Sequence, residues 1–293
     1  YYSLKHDFPV LKVHKVYAKE NAIWPFTVVG RPPQEDSQFG ALIHEISGKA
    51  IEQEIPGLKS VNAVDEAGVH PLLLAVGSER YTPYNPTKQP QELLTIANHI
   101  LGTGQMSLAK YVFICDEENA PNVNDEKEYF THFLERVDWK RDFHFQTKTT
   151  IDTLDYSGDG LNEGSKVVVA AAGEVKRKLA AILPNIDLPN GFSNPKLVSN
   201  GNLVVEGKGE IKDLSSSLEK QNLDGIALIT LVDDATFTSK NFSNWLWVTF
   251  TRSNPANDVY GINSETKNKH FSCSNPIIDA RIKKHHAPVL ERS

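Results

Sequence analysis

Methionine and cysteine are both scarce: 293 residues contain one Met, Met106, and two Cys, Cys115 and Cys273. Two cysteines are too few for a disulfide framework, and Cys115 lies in the apolar run KYVFIC, which suits a buried thiol. No apolar run approaches the roughly 18–20 uncharged residues of a membrane-spanning helix, and no charged stretch followed by an apolar core marks a signal peptide. An excess of positive charge is missing too. The net charge is −6, spread without long blocks of either sign, which leaves no electrostatic footprint for nucleic acid. The expectation is a cytoplasmic chain with no membrane span and no nucleic-acid partner.

Several catalytic signatures are also missing. Ser3, Ser157 and Ser165 have no nucleophile elbow around them, so a hydrolase triad has no support. The glycine-rich GTGQMS at Gly102 follows a helical stripe rather than a strand, which weakens a phosphate-cradling role. His285 and His286, with His270 and Cys273, lack an established ligand spacing, and no metal site is assigned to them. The chain opens at Tyr1 and its single Met is internal, so the expectation is a piece of a longer protein.

What is present is a chain with 40% apolar and 23% charged residues, enough for one large domain or two smaller ones. FPVLKVHKVY, from Phe8 to Tyr17, alternates like a half-exposed strand, and IWPFTVVG reads as a second strand closed by the Arg31-Pro32-Pro33 turn. Phe39, Leu42, Ile43, Ile46, Ala50 and Ile51 recur at helical spacing, which predicts a helix from about Ser37 to Glu54 with Asp36 as its N-cap. From Gly57 onward strands and helices alternate. HPLLLAVG and KYVFICDE read as strands, Leu93–Leu101 and Tyr129–Leu134 as helices, and VVVAAAG leads into a predicted helix from Glu174 to Leu183. Residues 184–202, rich in Pro, Asn and Gly, read as a long loop. This alternation predicts an α/β chain with a mostly parallel, three-layer α/β/α domain.

The pattern then recurs. IALITLVDD parallels YVFICDE, and each is followed by an aromatic helical stripe. Asp116 precedes Arg136 by twenty residues and Asp233 precedes Arg252 by nineteen, and an Asp follows each Arg by six, at Asp142 and Asp258. A degenerate repeat with units 56–183 and 203–293 is the reading, with chance agreement as its rival, because strand-end acids and helix-end arginines are common in α/β proteins.

FTVVGRPPQED, Phe26 to Asp36, concentrates unusual chemistry. Gly30 permits a close backbone approach, Arg31 offers a planar five-donor fork for carboxylate or phosphate, two prolines stiffen the loop, and Glu35 and Asp36 sit at a helix N-terminus. An ordinary rigid turn with a capping acid accounts for the same residues. Asp116, Glu117 and Glu118 end a strand where α/β sheets place ligands, yet strand-end acids also cap following helices.

The order AIWPFTVVGRPPQEDSQFGALIHE, then LAKYVFICDEEN, then LERVDWKRDF resembles the UbiD family of prenylated-FMN-dependent decarboxylases up to about Gly173. WLWVTFTRSNPANDVYG and IIDARIKKHHAP are similar to family patterns in the second copy. The resemblance implies that residues 1–55 are the distal part of a flavin-binding split β-barrel and its linker helix, and 56–293 the carboxy-terminal α/β domain. It implies removal of carbon dioxide from an aromatic or α,β-unsaturated acid, with prenylated FMN and a divalent metal in the full-length parent and dependence on a flavin prenyltransferase. The family's catalytic glutamate closes a Glu-Gly-Pro-Phe-Gly-Glu run just before an aromatic pair like Tyr1-Tyr2, so the catalytic residues are expected upstream of Tyr1, no cofactor is expected in this piece, and the piece alone is expected to be inactive. Thr27, Arg31, Glu35, Asp36 and Gly40 occupy or adjoin positions lining the flavin and substrate pocket. A homo-oligomer is implied. The alternative is a non-catalytic oligomerisation or scaffolding module, and an unrelated nucleotide-binding protein would need a glycine-rich phosphate loop after its first strand, which is missing.

Overall fold

Two apolar five-strand patterns organise the chain in the computed structural model, which describes residues 7, 9–24, 30–32, 35–81, 83–84 and 87–288. Along the first helix the side chains of residues 35, 36, 44 and 47–49 also fall outside the description. The elements run α1 (Glu35–Glu54), β1 (Leu58–Ala63), β2 (Leu72–Gly77), α2 (Glu92–Leu101), β3 (Tyr111–Asp116), α3 (Glu126–Arg136), β4 (Phe143–Thr150) and β5 (Glu163–Ala171). They continue with β6 (Phe192–Ser199), β7 (Asn202–Gly207), α4 (Ile211–Leu218), β8 (Leu228–Val232), α5 (Ala235–Thr238), α6 (Phe242–Thr251), α7 (Pro255–Asp258), β9 (Val259–Ile262), β10 (Glu265–Lys267), β11 (His270–Ser272) and β12 (Asn275–Asp279).

The first sheet has the order β1-β2-β3-β5-β4 and the second β6-β7-β8-β12-β9. In the first, β2, β3 and β5 are parallel while β1 and β4 join antiparallel at the edges. In the second, β7, β8 and β12 are parallel while β6 and β9 join antiparallel. Each sheet is therefore mixed, parallel at its centre only, where the sequence alternation predicts a mostly parallel sheet. The edge strands arrive through hairpin-like returns that need no helix, so they leave no βαβ signature to read.

Side-chain alternation assigns each face. Leu73, Ala75, Val112, Ile114, Val168 and Ala170 turn one face of the first sheet onto α2. Leu72, Leu74, Tyr111, Phe113, Val167 and Val169 turn the other onto α3 and α6, and the same core takes in Val204, Leu228 and Ile278 of the second sheet. The far face of the second sheet packs Leu203, Val205, Ile229 and Ile277 on α4. Helices α3 and α6 thus form a shared layer between the sheets, with Trp245 fully buried, its ring 5.1 Å from Phe130 and its indole N–H donating to Thr230 Oγ1 at 3.0 Å.

A polar pin crosses the same junction. Lys110 Nζ lies 2.7 Å from Asp155 Oδ2, and it donates to Ser157 Oγ and to Ser253 O, each at 2.7 Å. The side chains of Lys110 and Asp155 are each 1% exposed, and burial pushes the Lys110 ammonium down while Asp155 opposes that shift. Tyr111 pairs its hydroxyl with Ser253 Oγ at 2.8 Å beside them.

Four local expectations are corrected. The strand expected over Phe8–Tyr17 is not formed among its described residues: Val10 and Leu11 are 92% and 89% exposed, and no described strand lies alongside to complete a ladder. The second expected strand falls mostly in residues 25–29, outside the described residues. The helix expected over Glu174–Leu183 is an extended crossover instead. Its amides are taken by distant carbonyls, Lys176 and Arg177 by Glu135 O and Ala180 by Gly225 O, so tertiary hydrogen bonds override a helix-favouring composition. Within the expected loop 184–202 lies β6, an edge strand with irregular register and Asn194 at φ 53°, whose Pro and Asn disguise it. Helix α1 begins at Glu35, which places Asp36 inside the first turn rather than at the cap.

Candidate functional site

The region assigned to a pocket wall lies where α1 and the loop before it meet both sheet units. Thr27 is outside the described residues, and of Glu35 and Asp36 only their place in the first turn of α1 is described. Arg31 donates through Nη1 to Asn244 Oδ1 of α6 at 3.3 Å, and its guanidinium carbon stands 5.0 Å from the centroid of the Phe237 ring in α5. Gly40 faces a different space: a Cβ added there meets nothing within 4 Å.

That space is a cleft of about 540 Å³ between α1, β1, the short helical turn at Asp65–Ala67 and the residues leading into α3. Gly40, Ser37, Asn62, Asp65, Glu66 and Glu126 are among its lining residues. Ser37 Oγ donates to Asp65, and Asn62 Nδ2 donates to Val123 O at 3.0 Å and to Glu126 Oε1 at 3.2 Å. Burial pushes the Glu126 carboxyl up, and the neighbouring Glu66 adds to the shift. One wall is strained. Val69 has φ 67°, a left-handed conformation that a β-branched residue rarely adopts. It is held there by the turn, since Val69 N donates to Val64 O at 2.9 Å and Gly68 N to Asp65 O at 2.8 Å. Such strain, about 1–3 kcal/mol, concentrates at working surfaces. Just beyond it His70 Nδ1 pairs with Asp152, which that contact helps hold below the usual carboxylate range. Sequence reasoning missed this wall, and Gly68 in EAGVHP was the only signal of an unusual turn.

The strand-end acids resolve as structural. Asp116 accepts from Glu79 N at 3.0 Å and from Lys88 Nζ at 2.8 Å, and Lys88 reaches Glu118 at 2.9 Å. Glu117 accepts from Ser78 Oγ at 2.6 Å and meets Lys59 at 3.2 Å, and both hold its carboxyl low. Glu79 in turn accepts from the backbone N–H groups of Gln91, Glu92 and Leu93, tying down the N-terminus of α2. These contacts close the carboxyl edge of the sheet on itself.

The described residues do not by themselves fit a flavin with its metal. The cleft's described lining carries carboxylates and no basic side chain, which disfavours a phosphate. Among the described residues no group of three or more His, Cys, Asp or Glu is placed to hold a metal ion, and no helix is long and apolar enough to cross a membrane.

Residues 37–171, from α1 through β5, match the model of the 3-octaprenyl-4-hydroxybenzoate carboxy-lyase C-terminal domain, UbiD_C. The chain is 35% identical over 305 residues to a Chlamydia pneumoniae protein named as a subunit of 4-hydroxybenzoate decarboxylase, covering 99% of this chain and 48% of that protein. It is 36% identical over 282 residues to an uncharacterized protein of Chlamydia trachomatis serovar D, covering 95% of this chain and 46% of that protein. The chain thus spans about half the length of these relatives. Among solved structures, the closed form of Sedimentibacter hydroxybenzoicus vanillic acid decarboxylase aligns with TM-score 0.36 and 18% identity over 48% of this chain and 27% of that one. The UbiD-class enzyme HmfF from Pelotomaculum thermopropionicum, solved in complex with FMN, aligns with TM-score 0.35 and 18% identity over 48% of this chain and 28% of that one. Residues 37–171 thus carry a carboxy-terminal domain of the UbiD type.

Proposed function

We propose that this chain is the carboxy-terminal portion of a UbiD-like (de)carboxylase that acts on an aromatic or α,β-unsaturated carboxylic acid through prenylated FMN. The observation that carries the reading is the family match from α1 to β5, starting directly after the Gly-Arg-Pro-Pro loop. The Chlamydia pneumoniae relative, named for a 4-hydroxybenzoate decarboxylase, supports an aromatic acid and does not favour a purely scaffolding role. In this reading the flavin, its divalent metal and the catalytic acid-base residues are held by a part of the parent outside this chain, and the isolated chain is inactive.

This chain's own contribution is a wall. Thr27, Arg31, Glu35 and Asp36 line the distal side of the pocket, with the Arg31 fork suited to orient a carboxylate or phosphate by charge-assisted hydrogen bonds, while Gly40 adjoins it and opens on the acidic cleft beside β1. Residues 1–55 complete the split barrel and lead through α1 into the α/β domain 56–293. That domain is a degenerate duplication, 56–183 and 203–293. The identical strand order and strand sense of the two sheets support a duplication whose second copy starts earlier, at β6, and so does a shared turn in which Asp142 accepts from Asp138 N and Asp258 from Asn254 N, each at 2.7 Å. The parent is a soluble cytoplasmic homo-oligomer that depends on a flavin prenyltransferase.

Visible absorption tests the reading. The parent co-produced with a flavin prenyltransferase carries a flavin spectrum, and the 293-residue chain produced the same way is colourless. A colourless parent contradicts it.

A further inference from the structure

Arg31 comes from the loop before α1, yet both partners described for it lie in the second sheet unit, 213 residues away in sequence for Asn244. We propose that Phe237 and Asn244 form a seat that positions Arg31 and, through it, the Gly30–Pro32 loop. Its functional meaning rests on the reading that Arg31 lines the pocket.

The seat is built before Arg31 arrives. Asn244 is 7% exposed, its backbone N–H donates to the N-cap oxygen of Asn241 at 2.7 Å, and its Nδ2 donates to Phe237 O at 2.8 Å. With Nδ2 committed inward, the carboxamide turns its acceptor, Oδ1, to Arg31. Phe237 is fixed in turn, because its backbone N–H donates to Asp234 Oδ1, the N-cap of α5, at 2.8 Å. An oriented acceptor and a fixed aromatic face are the two features that read a planar guanidinium, and an ammonium matches them less well. The duplicated unit thereby gains a task that a single unit lacks: it carries the counter-surface for the loop that opens α1.

Hydrogen exchange on the 293-residue chain, read by mass spectrometry over residues 30–40, tests the seat. Asn244→Leu, Phe237→Leu and Arg31→Lys should each speed exchange there about tenfold, equivalent to about 1.4 kcal/mol. Phe237→Tyr, which keeps the aromatic face, should stay within about threefold of wild type. Peptides from β3 and α3 should not change. Arg31→Lys combined with Phe237→Leu should be no faster than Arg31→Lys alone, since the lysine already forfeits the ring contact. Unchanged exchange in Arg31→Lys, additive effects in the double variant, or failure of Phe237→Tyr to preserve protection each overturns the proposal. Arg31 is on the surface loop, so its variant reports even if a second-unit variant fails to fold. No flavin enters this assay, so a colourless parent would overturn the decarboxylase reading and leave this result standing.

Discussion

Lys110→Met is the sharpest probe of how the two sheet units are joined. Its ammonium meets Asp155, Ser157 Oγ and Ser253 O, all at 2.7 Å, where the Lys110 and Asp155 side chains are 1% exposed. Methionine keeps the stem's bulk and removes the charge, leaving the buried Asp155 without its cation. Breaking one side of a buried pair costs about 3–5 kcal/mol, most of it the stranded partner's desolvation. At an unfolding entropy of about 2 cal/mol/K per residue, a chain of this length loses about 5–8 °C of Tm. Differential scanning calorimetry at pH 7 measures it. The double variant Lys110→Met/Asp155→Leu strands no charge and should recover most of the loss, because replacing a whole buried pair by apolar residues is close to neutral. A single variant that melts within about 1 °C of wild type, or a double variant no better than the single, would refute the reasoning.

Three further outcomes are expected. Burial pushes His132 and His144 down to about 4 and His286 down to about 3, so all three are neutral in the folded chain and charge on unfolding. Their stabilising contribution is complete above the ordinary pH 6.5 and is lost as pH falls toward 4, while Asp142, pushed up to about 6 by burial, offsets part of it in the same window. Tm should fall from pH 6.5 to 4, and His144→Gln should shrink that drop by about 1 kcal/mol after solvent screening, checked by calorimetry across pH. Val69→Asn should stabilise by about 1 kcal/mol in urea unfolding, since Asn adopts the left-handed region more readily. Gly40→Ala should also stabilise by about 1 kcal/mol, because the helix gains propensity where a Cβ meets open space.

The central strands were legible in the sequence because both of their faces are buried. YVFICD and LITLV are continuous apolar runs, and the structure packs every residue of β3 and β8 inside. The stripes of α2 and α3 were legible from their period. What escaped was set by distant partners. The segment 174–183 has a helical composition, but the carbonyls of Glu135 and Gly225 take its amides. The alternation of Phe8–Tyr17 promises a strand that needs a neighbour to exist. Of the loop before α1, the residue types alone were readable. The seating of Arg31 on Phe237 and Asn244 was not, because nothing local links residues so far apart.

The most direct measurement of the central claim is isotope exchange. The parent, loaded with prenylated FMN, would be incubated with 4-hydroxybenzoate and ¹³C-labelled bicarbonate, and the acid examined by mass spectrometry. The account predicts enzyme-dependent loss of carbon dioxide or incorporation of label into the carboxyl group, abolished when the flavin is withheld. A flavin-loaded parent that neither decarboxylates nor exchanges any of a panel of aromatic and α,β-unsaturated acids would contradict it.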